Sequence, residues 1–486
     1  MARGLAEFSG DTVADVTSIG GDDDSGWVDL LRPRTPEALA AGLILLSFTM
    51  LAAFMPAQND TWWHLATGRR IAEVSRVELV DQFSWTAAGR YWPNSQWLSQ
   101  LLLFETYHIG GMALVTFTGM LVVAVTLALV WQSMTGPPLL RGLLLLCVGP
   151  LLVPEWSLRP KLFTQCAMAV TLLLLQRRRY VWLPPLFAVW ANLHGGVALG
   201  VVALLAACLE SLLHDRGRLP RLALASACSV LVMGATPLGF ALFPDVLLSP
   251  TRSDFRYITE WQPTGRELWT FGLFALAAPS AVLTLRFWST LNDRERLLAY
   301  VAGAILPLAL MSSRIGAIFT LAATPLLSGL VLRLSGADAL FRSSPPRPRP
   351  YTWAPATAVA IAASAVTLVW SARLPFLGWD PISRRAVAAI RACGRPMYNH
   401  YDNGGPLIWF VPEQPVFIDG RQHPYPASFV VEHFDVEDSG NYAPLFARYR
   451  FRCAVLPPYS KVGQALRRDG WHVTYKDGAW VVAVKP

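Results

Sequence analysis

The sequence predicts a polytopic α-helical membrane protein that carries a small α/β domain at its C-terminus. Of its 486 residues, 53% are hydrophobic and only 15% are charged, whereas soluble domains carry about 25% charged residues. The mean hydropathy is +0.37, and apolar runs recur from residue 38 to residue 371. Beyond residue 371 these runs stop, and short mixed segments separated by Gly-containing turns follow.

About eleven apolar runs are predicted to cross the membrane, since a helix needs about 20 residues to span the hydrocarbon core. The runs cover residues 38–57, 112–134, 142–155, 162–176, 181–194, 196–213, 221–242, 268–287, 297–311, 315–333 and 352–371. We expect the shortest runs to be tilted, broken or set in a locally thin region.

Arginine clusters predict the orientation of these runs. The clusters lie at residues 177–179, 216–221, 286–296 and 333–349, in the gaps after the fourth, sixth, eighth and tenth runs. With a cytoplasmic N-terminus all four gaps fall inside, as the positive-inside rule requires. The C-terminal domain then lies outside. This parity also requires the apolar stretch 97–108 not to cross, so we expect it to lie as a helix in the outer interface.

The predicted organisation has three parts. Residues 1–36 form a disordered cytoplasmic tail, because they lack the basic start and apolar core of a signal peptide. Residues 37–371 form the membrane domain, with outer loops at 58–110 and 243–267. Residues 372–486 form the extracytoplasmic α/β domain. Its predicted strands cover 416–419, 452–456, 473–475 and 480–484, its predicted helices 384–392 and 462–468, and its turns 404–405, 469–470 and 477–478.

The net charge and the cysteines indicate which partners and which location the protein has. The net charge of +8 comes mainly from basic residues between apolar runs, which predicts contact with membrane lipids and no binding of nucleic acid. The excess of Arg over Lys suggests a GC-rich genome and favours a bacterial cell membrane as the location. Of the six cysteines, Cys393 and Cys453 lie in the C-terminal domain. Either a disulfide or two free thiols is compatible with the sequence.

Asp60 and His64 stand just after the first apolar run. Asp60 is either the N-cap of the following helix or a surface carboxylate that, with His64 one turn later, binds a divalent ion or activates a hydroxyl. The two interpretations are equally supported by the residues alone. Trp62, Trp63 and Leu65 are expected to anchor this helix in the membrane interface.

Further polar residues gather at the predicted outer ends of the runs. Glu260 is either a solvated loop residue or a buried, liganding one, since its neighbours are apolar. Arg314 either snorkels toward the head groups or clamps a phosphate, for which a guanidinium is suited. Arg159 and Lys161 form a second basic pair that faces either a phosphate or lipid head groups.

Three other residues have an ordinary structural explanation. His194 precedes Gly195–Gly196 and is expected to be a turn residue. Asp402 and Asp419 each follow an apolar segment of the C-terminal domain and stand beside turn-forming residues. From the residues alone, binding roles for these three are the minority interpretation.

Taken in order, these segments resemble the GT-C class of membrane glycosyltransferases, and within it the catalytic subunits of oligosaccharyltransferases. The resemblance rests on short motifs: Asp60 to His64 after the first run, Ile258 to Thr264 in the second outer loop, Arg314, and His400 to Gly404 followed by Asp419. It is closest to bacterial members of the class that share the opening Asp-Thr-Trp-Trp-His-Leu-Ala-Thr-Gly. The chain departs from the oligosaccharyltransferases in lacking a Trp pair before Asp402, in having fewer spans, and in reducing a pair of acids to Glu155.

The resemblance implies transfer of a sugar, with inversion, from a polyprenyl-phosphate-linked donor to a glycan, lipid or protein acceptor on the outer face. Asp60 and Glu260 would be catalytic, and Arg314, Arg159 and Lys161 would bind the donor phosphate. Mg²⁺ or Mn²⁺, if a metal is used, would be held by Asp60, His64 and Glu155. Asp402 and Asp419 would belong to an acceptor or outer-domain site.

Two other classes of function compete with this hypothesis. A transporter or flippase of a lipid-linked glycan would place polar residues deep within its spans, and few occur there. A non-catalytic membrane scaffold would leave Asp60, Glu260 and Arg314 far apart in space.

Overall fold

The computed structural model describes residues 33–248, 257–265, 271–342, 344–351 and 353–486. Most of the predicted N-terminal tail and part of the second outer loop therefore lie outside the described residues. The helices of the membrane part are α1 (Pro36–Ala52), α2 (Asn59–Val74), α3 (Trp97–Ser133), α4 (Pro138–Leu152), α5 (Lys161–Gln176), α6 (Leu183–Leu193), α7 (Val197–His214), α8 (Leu219–Val232), α9 (Leu242–Leu248), α10 (Gly272–Arg286), α11 (Asp293–Met311), α12 (Gly316–Val331), α13 (Ala337–Leu340) and α14 (Trp353–Ala372).

Each predicted run overlaps one of these helices. Within the described residues five helical segments are long and apolar enough to cross a membrane, namely Trp97–Ser133, Pro138–Glu155, Val197–His214, Ser313–Val331 and Trp353–Ala372. The shorter apolar helices are α1, α5, α8 and α10. The chain is thus a multi-pass membrane protein, and the number of eleven crossings stays a prediction.

Helix α3 is broken at its two glycines. Gly110 has φ −141° and Gly111 has φ +62°, so both depart from helical geometry. Only glycine adopts the second conformation without a steric penalty. The segment from Trp97 to the break is therefore a separate helix, as predicted. It packs on α2 so closely that a Cβ atom on Gly68 would overlap the backbone of Gln100. Its placement in the membrane interface stays a prediction.

The C-terminal domain is a small α/β unit. Its helices are α15 (Arg384–Arg391), α16 (Gly404–Phe410), α17 (Ala427–Ser439), α18 (Ala443–Tyr449) and α19 (Lys461–Arg468), and its strands are β1 (Met397–Asn399), β2 (Cys453–Leu456), β3 (His472–Lys476) and β4 (Val481–Val484). The sheet has the order β1-β2-β4-β3. Strand β1 is parallel to β2, and β4 is antiparallel to both β2 and β3.

The predictions for this domain are confirmed in part. Strands β2, β3 and β4 and helices α15 and α19 lie where the sequence predicted them. The predicted strand 416–419 is wrong, because the Asn399 side chain takes the hydrogen bonds of Phe417 N–H and the Ile418 carbonyl, each at 2.7 Å. The predicted turn at 404–405 is also wrong, since Gly404 begins α16.

Cys393 and Cys453 form a disulfide that joins residues 60 positions apart. Cys453 begins β2, and Cys393 lies just before β1. Both are buried in the domain core. Of the two states that the sequence left open, the structure therefore has the disulfide.

The C-terminal domain, residues 372–486, is named the outer domain after its predicted side of the membrane. It is packed against the first outer loop, residues 58–110, rather than tethered beside it. Trp63 and Trp92 of the loop share one apolar core with α15 and with strands β1, β2 and β4. Trp62 is buried and packs on the Phe410 ring at 4.7 Å between centroids. The expectation that Trp62, Trp63 and Leu65 anchor the helix in the membrane interface is wrong, because all three are buried inside the protein.

Three glycines allow this packing around the end of the first apolar run. A Cβ atom on Gly378, Gly405 or Gly420 would overlap the Ala57 carbonyl, the Asn59 carbonyl or the Asp60 carboxylate, respectively. Gly378 also has φ +64°, which disfavours a larger residue there. The backbone of the outer domain is therefore in direct contact with residues 57–60.

Candidate functional site

A cavity of about 300 Å³ lies between the membrane helices and the outer domain. The cavity is lined by six of the residues predicted for the site, namely Asp60, His64, Glu155, Arg159, Lys161 and Arg314. Glu260 contacts Arg159, Lys161 and Arg314 from the second outer loop. Asp60, Glu260 and Arg314 thus converge, contrary to what the scaffold hypothesis required.

Asp60 lies in the first turn of α2, where the helix dipole favours a negative charge. The N-cap of α2 is Gln58, not Asp60, so the N-cap interpretation of Asp60 is wrong. Its carboxylate accepts hydrogen bonds from Trp63 Nε1 at 3.0 Å and from Arg159 Nη1 at 2.8 Å. These two donors fix the orientation of the carboxylate at the cavity wall.

Arg159 bridges the two predicted catalytic carboxylates. Its Nη1 bonds Asp60, its Nη2 bonds Glu260, and its Nε donates to Ser157 Oγ at 3.0 Å. The side chain is only 12% exposed. Burial alone would lower the pKa of this guanidinium, but the charges of Glu260 and Asp60 outweigh burial and raise its pKa. Arg159 is a permanent cation at the centre of the site.

Glu260 is held by its backbone as well as by its charge. Its carbonyl accepts from Ser312 Oγ at 3.1 Å and from Ser313 Oγ at 3.3 Å. Burial would raise the pKa of its carboxyl group, but Arg159, Arg314 and Lys161 together depress this pKa well below its ordinary value. Glu260 is therefore ionised throughout the physiological range.

Arg314 approaches Glu260 from the short helix Ser313–Ile315. Its Nη1 lies 3.7 Å from Glu260 Oε2, and its Nη2 lies 3.5 Å from His194 Nε2. Its guanidinium carbon is 5.3 Å from the centroid of the Trp261 ring, within cation–π range. Arg314 is therefore directed into the protein and the cavity, not toward lipid head groups.

Lys161 is buried beside a second acid. Its Nζ lies 3.0 Å from Glu155 Oε2 and 3.5 Å from Glu260 Oε1. Glu155 is also buried. A buried charge requires a partner of opposite sign, and this pair satisfies that requirement for both residues.

His64 is buried and lines the cavity, with its Nδ1 3.4 Å from Gln100 Nε2. Burial and the nearby charge of Arg159 lower the pKa of His64 well below its ordinary value. His64 is therefore neutral at pH 7.

Asp402 and Asp419 do not line the cavity. Asp402 is about half exposed and accepts from Tyr459 Oη at 3.0 Å. Asp419 is fully buried and accepts from Arg421 at 2.8 and 2.7 Å and from Tyr425 Oη at 2.6 Å. The outer domain reaches the cavity instead through the next four residues, 420–423.

A second group of possible metal ligands lies inside the outer domain. His400, His433 and Glu437 place three ligand atoms within 4.8 Å of one another. Each residue is already hydrogen-bonded: Tyr398 Oη and Ser460 Oγ donate to Glu437, the Tyr401 N–H donates to His433, and the Asp402 N–H donates to His400. These hydrogen bonds make the three residues part of a polar network in the domain core.

Several residues that line the cavity were not predicted from the sequence. Trp63 was assigned to the interface, His194 was expected to be only a turn residue, and Gly420 and His423 were not considered. The pairing of His423 with Asp245 at 3.5 Å joins the outer domain to α9. The Asp-Gly pair at residues 419–420 indicates a turn at Gly420. No local pattern indicates that the backbone of this turn lies against Asp60.

No family model matches the chain, and no curated protein matches it in sequence. Solved structures do match. Archaeal oligosaccharyltransferase AglB from Archaeoglobus fulgidus, in complex with an inhibitory peptide and a dolichol-phosphate, is similar with a TM-score of 0.56 at 13% identity, over 91% of this chain and 74% of that chain. The apo form of the oligosaccharyltransferase of that organism is similar with a TM-score of 0.50 at 12% identity, over 85% of this chain and 69% of that chain.

ArnT from Cupriavidus metallidurans, bound to undecaprenyl phosphate, gives a TM-score of 0.48 at 16% identity, over 95% of this chain and 98% of that chain. The two oligosaccharyltransferase structures share the fold of this chain, which confirms the resemblance to the GT-C class at the level of the fold. The identities are too low to transfer an activity directly.

Proposed function

We propose that this protein is a membrane glycosyltransferase that moves a sugar from a polyprenyl-phosphate-linked donor to an acceptor on the outer face of the membrane. The observation that carries the proposal is that Arg159 joins Asp60, which lines the cavity, to Glu260, which also contacts the cavity-lining Lys161 and Arg314. A transferase of this kind needs a carboxylate for the acceptor and cations for the phosphate that leaves.

The basic residues suit the donor phosphate. Arg314 and Arg159 present guanidinium groups, which bind phosphate oxygens in pairs, and Lys161 adds a point charge. The phosphate would lie against these three side chains, with the lipid chain running between the membrane helices. The dolichol-phosphate bound to AglB supports a lipid phosphate as the ligand of this fold.

Asp60 is the candidate base. As the acceptor hydroxyl attacks the anomeric carbon, its proton passes to the Asp60 carboxylate and the bond to the lipid phosphate breaks. The leaving phosphate retains the electron pair of that bond, and Arg159 and Arg314 stabilise the charge. Attack from the face opposite the phosphate inverts the anomeric centre. Glu260 holds Arg159 and Arg314 in place from the second outer loop.

The acceptor would reach the cavity beneath the outer domain. Residues 420–423 form part of the cavity wall, and Tyr257 of the second outer loop bonds Asp435 of the outer domain at 2.7 Å. The domain therefore contacts both the cavity and the second outer loop, and in this position it would orient a glycan, lipid or protein acceptor.

The disulfide supports a location outside the cytoplasm, because such bonds persist in oxidising compartments. Together with the arginine clusters it favours a cytoplasmic N-terminus and an outer C-terminal domain in a bacterial cell membrane. This orientation places Asp60, Glu260 and Arg314 on the outer face.

The test is a transfer assay with purified protein in nanodiscs and a lipid extract from cells carrying labelled polyprenyl-linked sugars. We expect Asp60→Asn and Glu260→Gln each to lower transfer by about a hundredfold or more, the usual scale for a positioned acid or base. Asp380→Asn and Glu413→Gln are matched controls, because both carboxylates are exposed and paired at the surface. If both site variants transfer at the rate of the controls, the proposed mechanism is wrong.

A further inference from the structure

We propose that this site works without a divalent metal, because the guanidinium of Arg159 takes the position between Asp60 and Glu260 that a metal ion would need. The inference rests on the proposed function and specifies how its donor phosphate is neutralised. The predicted metal ligands were Asp60, His64 and Glu155. In the structure Asp60 instead forms an ion pair with Arg159, and Glu155 forms one with Lys161.

The carboxylate oxygens are already engaged. Asp60 Oδ1 accepts from Trp63 and Oδ2 from Arg159. Glu260 Oε1 is paired with Arg159 and Lys161, and Oε2 lies 3.7 Å from Arg314. Mg²⁺ and Mn²⁺ need hard oxygen ligands at about 2.0–2.2 Å. Binding such an ion between Asp60 and Glu260 would require expelling Arg159, which is buried and also bonded to Ser157.

The charge balance leads to the same conclusion. Three acids, Asp60, Glu155 and Glu260, lie in contact with three bases, Arg159, Lys161 and Arg314. The cluster is neutral before any ligand binds. A divalent ion would add two positive charges within a few ångströms of three fixed cations, and in a partly buried site this repulsion is poorly screened. A phosphate instead adds negative charge next to those cations.

His64 does not complete a metal site either. Its Nδ1 faces Gln100 at 3.4 Å, and Arg159 lies near enough to act on it electrostatically. A neutral imidazole is a good ligand for Zn²⁺ but a minor one for Mg²⁺. The residues present therefore do not fit the Mg²⁺ or Mn²⁺ that the family resemblance left open.

Arg159 acquires a specific role from this geometry. It is the cation that holds the two loops of the site together before the donor arrives, and it presents further N–H groups to the phosphate. Asp60 keeps its orientation through Trp63 when Arg159 turns toward the phosphate. The site is thus specific for a donor whose leaving group is a phosphate or pyrophosphate neutralised by side chains alone.

The direct test is Mn²⁺ binding measured by electron paramagnetic resonance on the purified full-length protein. At about 1 mM free Mn²⁺, where even weak oxygen-ligand sites are occupied, we expect no bound ion that is sensitive to Asp60→Asn in the wild type. In Arg159→Ala the two carboxylates lose their bridge, and we expect a bound ion to appear. Thermal unfolding and size exclusion verify that this variant is folded.

A second measurement keeps the proposal testable if Arg159→Ala does not fold. Binding of undecaprenyl phosphate to the wild-type protein should change by less than about twofold on adding EDTA, and Arg159→Gln should weaken it by about tenfold or more. A wild-type Mn²⁺ site that disappears in Asp60→Asn, or lipid binding that is lost with EDTA and restored by Mn²⁺, would overturn the metal-free site. Failure of the wild type to bind any lipid phosphate contradicts the proposed function instead, and the Mn²⁺ measurement is unaffected by that result.

Discussion

Trp63 and Arg159 determine how the Asp60 carboxylate is presented to the cavity. Each donates to a different oxygen of the same group, at 3.0 and 2.8 Å. In the proposed mechanism Arg159 also responds to the donor phosphate, so the indole N–H of Trp63 is the constant partner of Asp60. The neighbouring Trp62 packs equally deep but has no hydrogen-bond partner for its Nε1 in the described part of the chain.

This difference makes the two tryptophans a matched pair. Trp63→Phe removes the donor and keeps an aromatic ring against Trp92. Hydrogen bonds to charged groups contribute about 1.5–3 kcal/mol, so we expect kcat to fall by about tenfold or more with little change in KM. Trp62→Phe should leave kcat nearly unchanged, and equal losses in both variants would show that only packing matters.

The burial of His64 makes the stability of the protein depend on pH. The pKa of His64 is lowered by burial and by Arg159, so below its ordinary pKa of 6.5 the unfolded chain binds a proton that the folded chain does not. Stability is therefore complete above pH 6.5 and decreases as the pH falls below it, by at most about 1.4 kcal/mol per unit for one such group.

The measurement is the midpoint of thermal unfolding between pH 7.5 and 5.5. His64→Gln should flatten the decrease, because it removes one group that is buried in its neutral form. His472 is exposed, so His472→Gln should keep the slope of the wild type. Equal slopes in all three proteins would contradict the prediction.

At the scale of elements, the membrane helices were predictable because hydropathy is a local property. Every apolar run corresponds to a helix, and the break at Gly110–Gly111 was indicated by the glycines themselves. The outer domain was predicted less completely. Strand β1 has only three residues, too few for an alternating pattern, and its Asn399 side chain holds the segment that the sequence presented as a strand.

Helix α17 was missed although its boundaries were visible in the sequence. Pro426 precedes it and Gly440, with φ +72°, ends it, the usual asymmetry of helix ends. The candidate site likewise has features with a local sequence signal and features without one. Asp60, Glu260, Arg159 and Arg314 were found from local motifs, but the Arg159 bridge joins residues 99 and 101 positions apart. No local pattern encodes such pairings.

The disulfide between the start of β2 and the residues before β1 gives an element-scale prediction. Cys393→Ser or Cys453→Ser should destabilise the outer domain by about 2–5 kcal/mol, as for other native disulfides, and should lower its thermal midpoint. Cys147→Ser is the control, because Cys147 is a free cysteine.

The same bond reports the orientation in cells. If the outer domain lies outside the cytoplasm, these two buried cysteines should react with a thiol reagent in the unfolded protein only after reduction. Reactive thiols at both positions in protein from unstressed cells would contradict an extracytoplasmic domain.

At the scale of the whole molecule, Arg421 joins the outer domain to the first outer loop. Its guanidinium pairs with Asp81 of the loop at 2.5 Å and with Asp419 of the domain at 2.7 Å. It also lies 5.0 and 4.8 Å from the ring centroids of Phe83 and Trp92. Burial opposes its charge, but Asp419 and Asp81 raise its pKa above the ordinary value. The two parts of the protein therefore share one buried ionic contact.

Replacing this cation should separate the two parts. Arg421→Met has a similar volume but leaves the two buried carboxylates of Asp81 and Asp419 without a cationic partner, which costs about 3–5 kcal/mol. We expect faster hydrogen exchange and proteolysis in the segment between α14 and α15, with the membrane helices unaffected. Arg391→Met is the control, because Arg391 forms an exposed pair with Glu413, and such pairs contribute about 0–1 kcal/mol.

The glycine contacts at Gly378, Gly405 and Gly420 have an evolutionary consequence. At these three positions the outer domain touches residues 57–60 with its main chain, and no side chain of these positions stands between the domain and Asp60. Selection at these positions therefore acts against added volume. A larger residue at Gly420 would displace the carboxylate itself, and one at Gly378 or Gly405 would displace the backbone just before it. Under the proposed function, exposed side chains of the domain can diverge toward new acceptors while this main-chain contact keeps Asp60 in place.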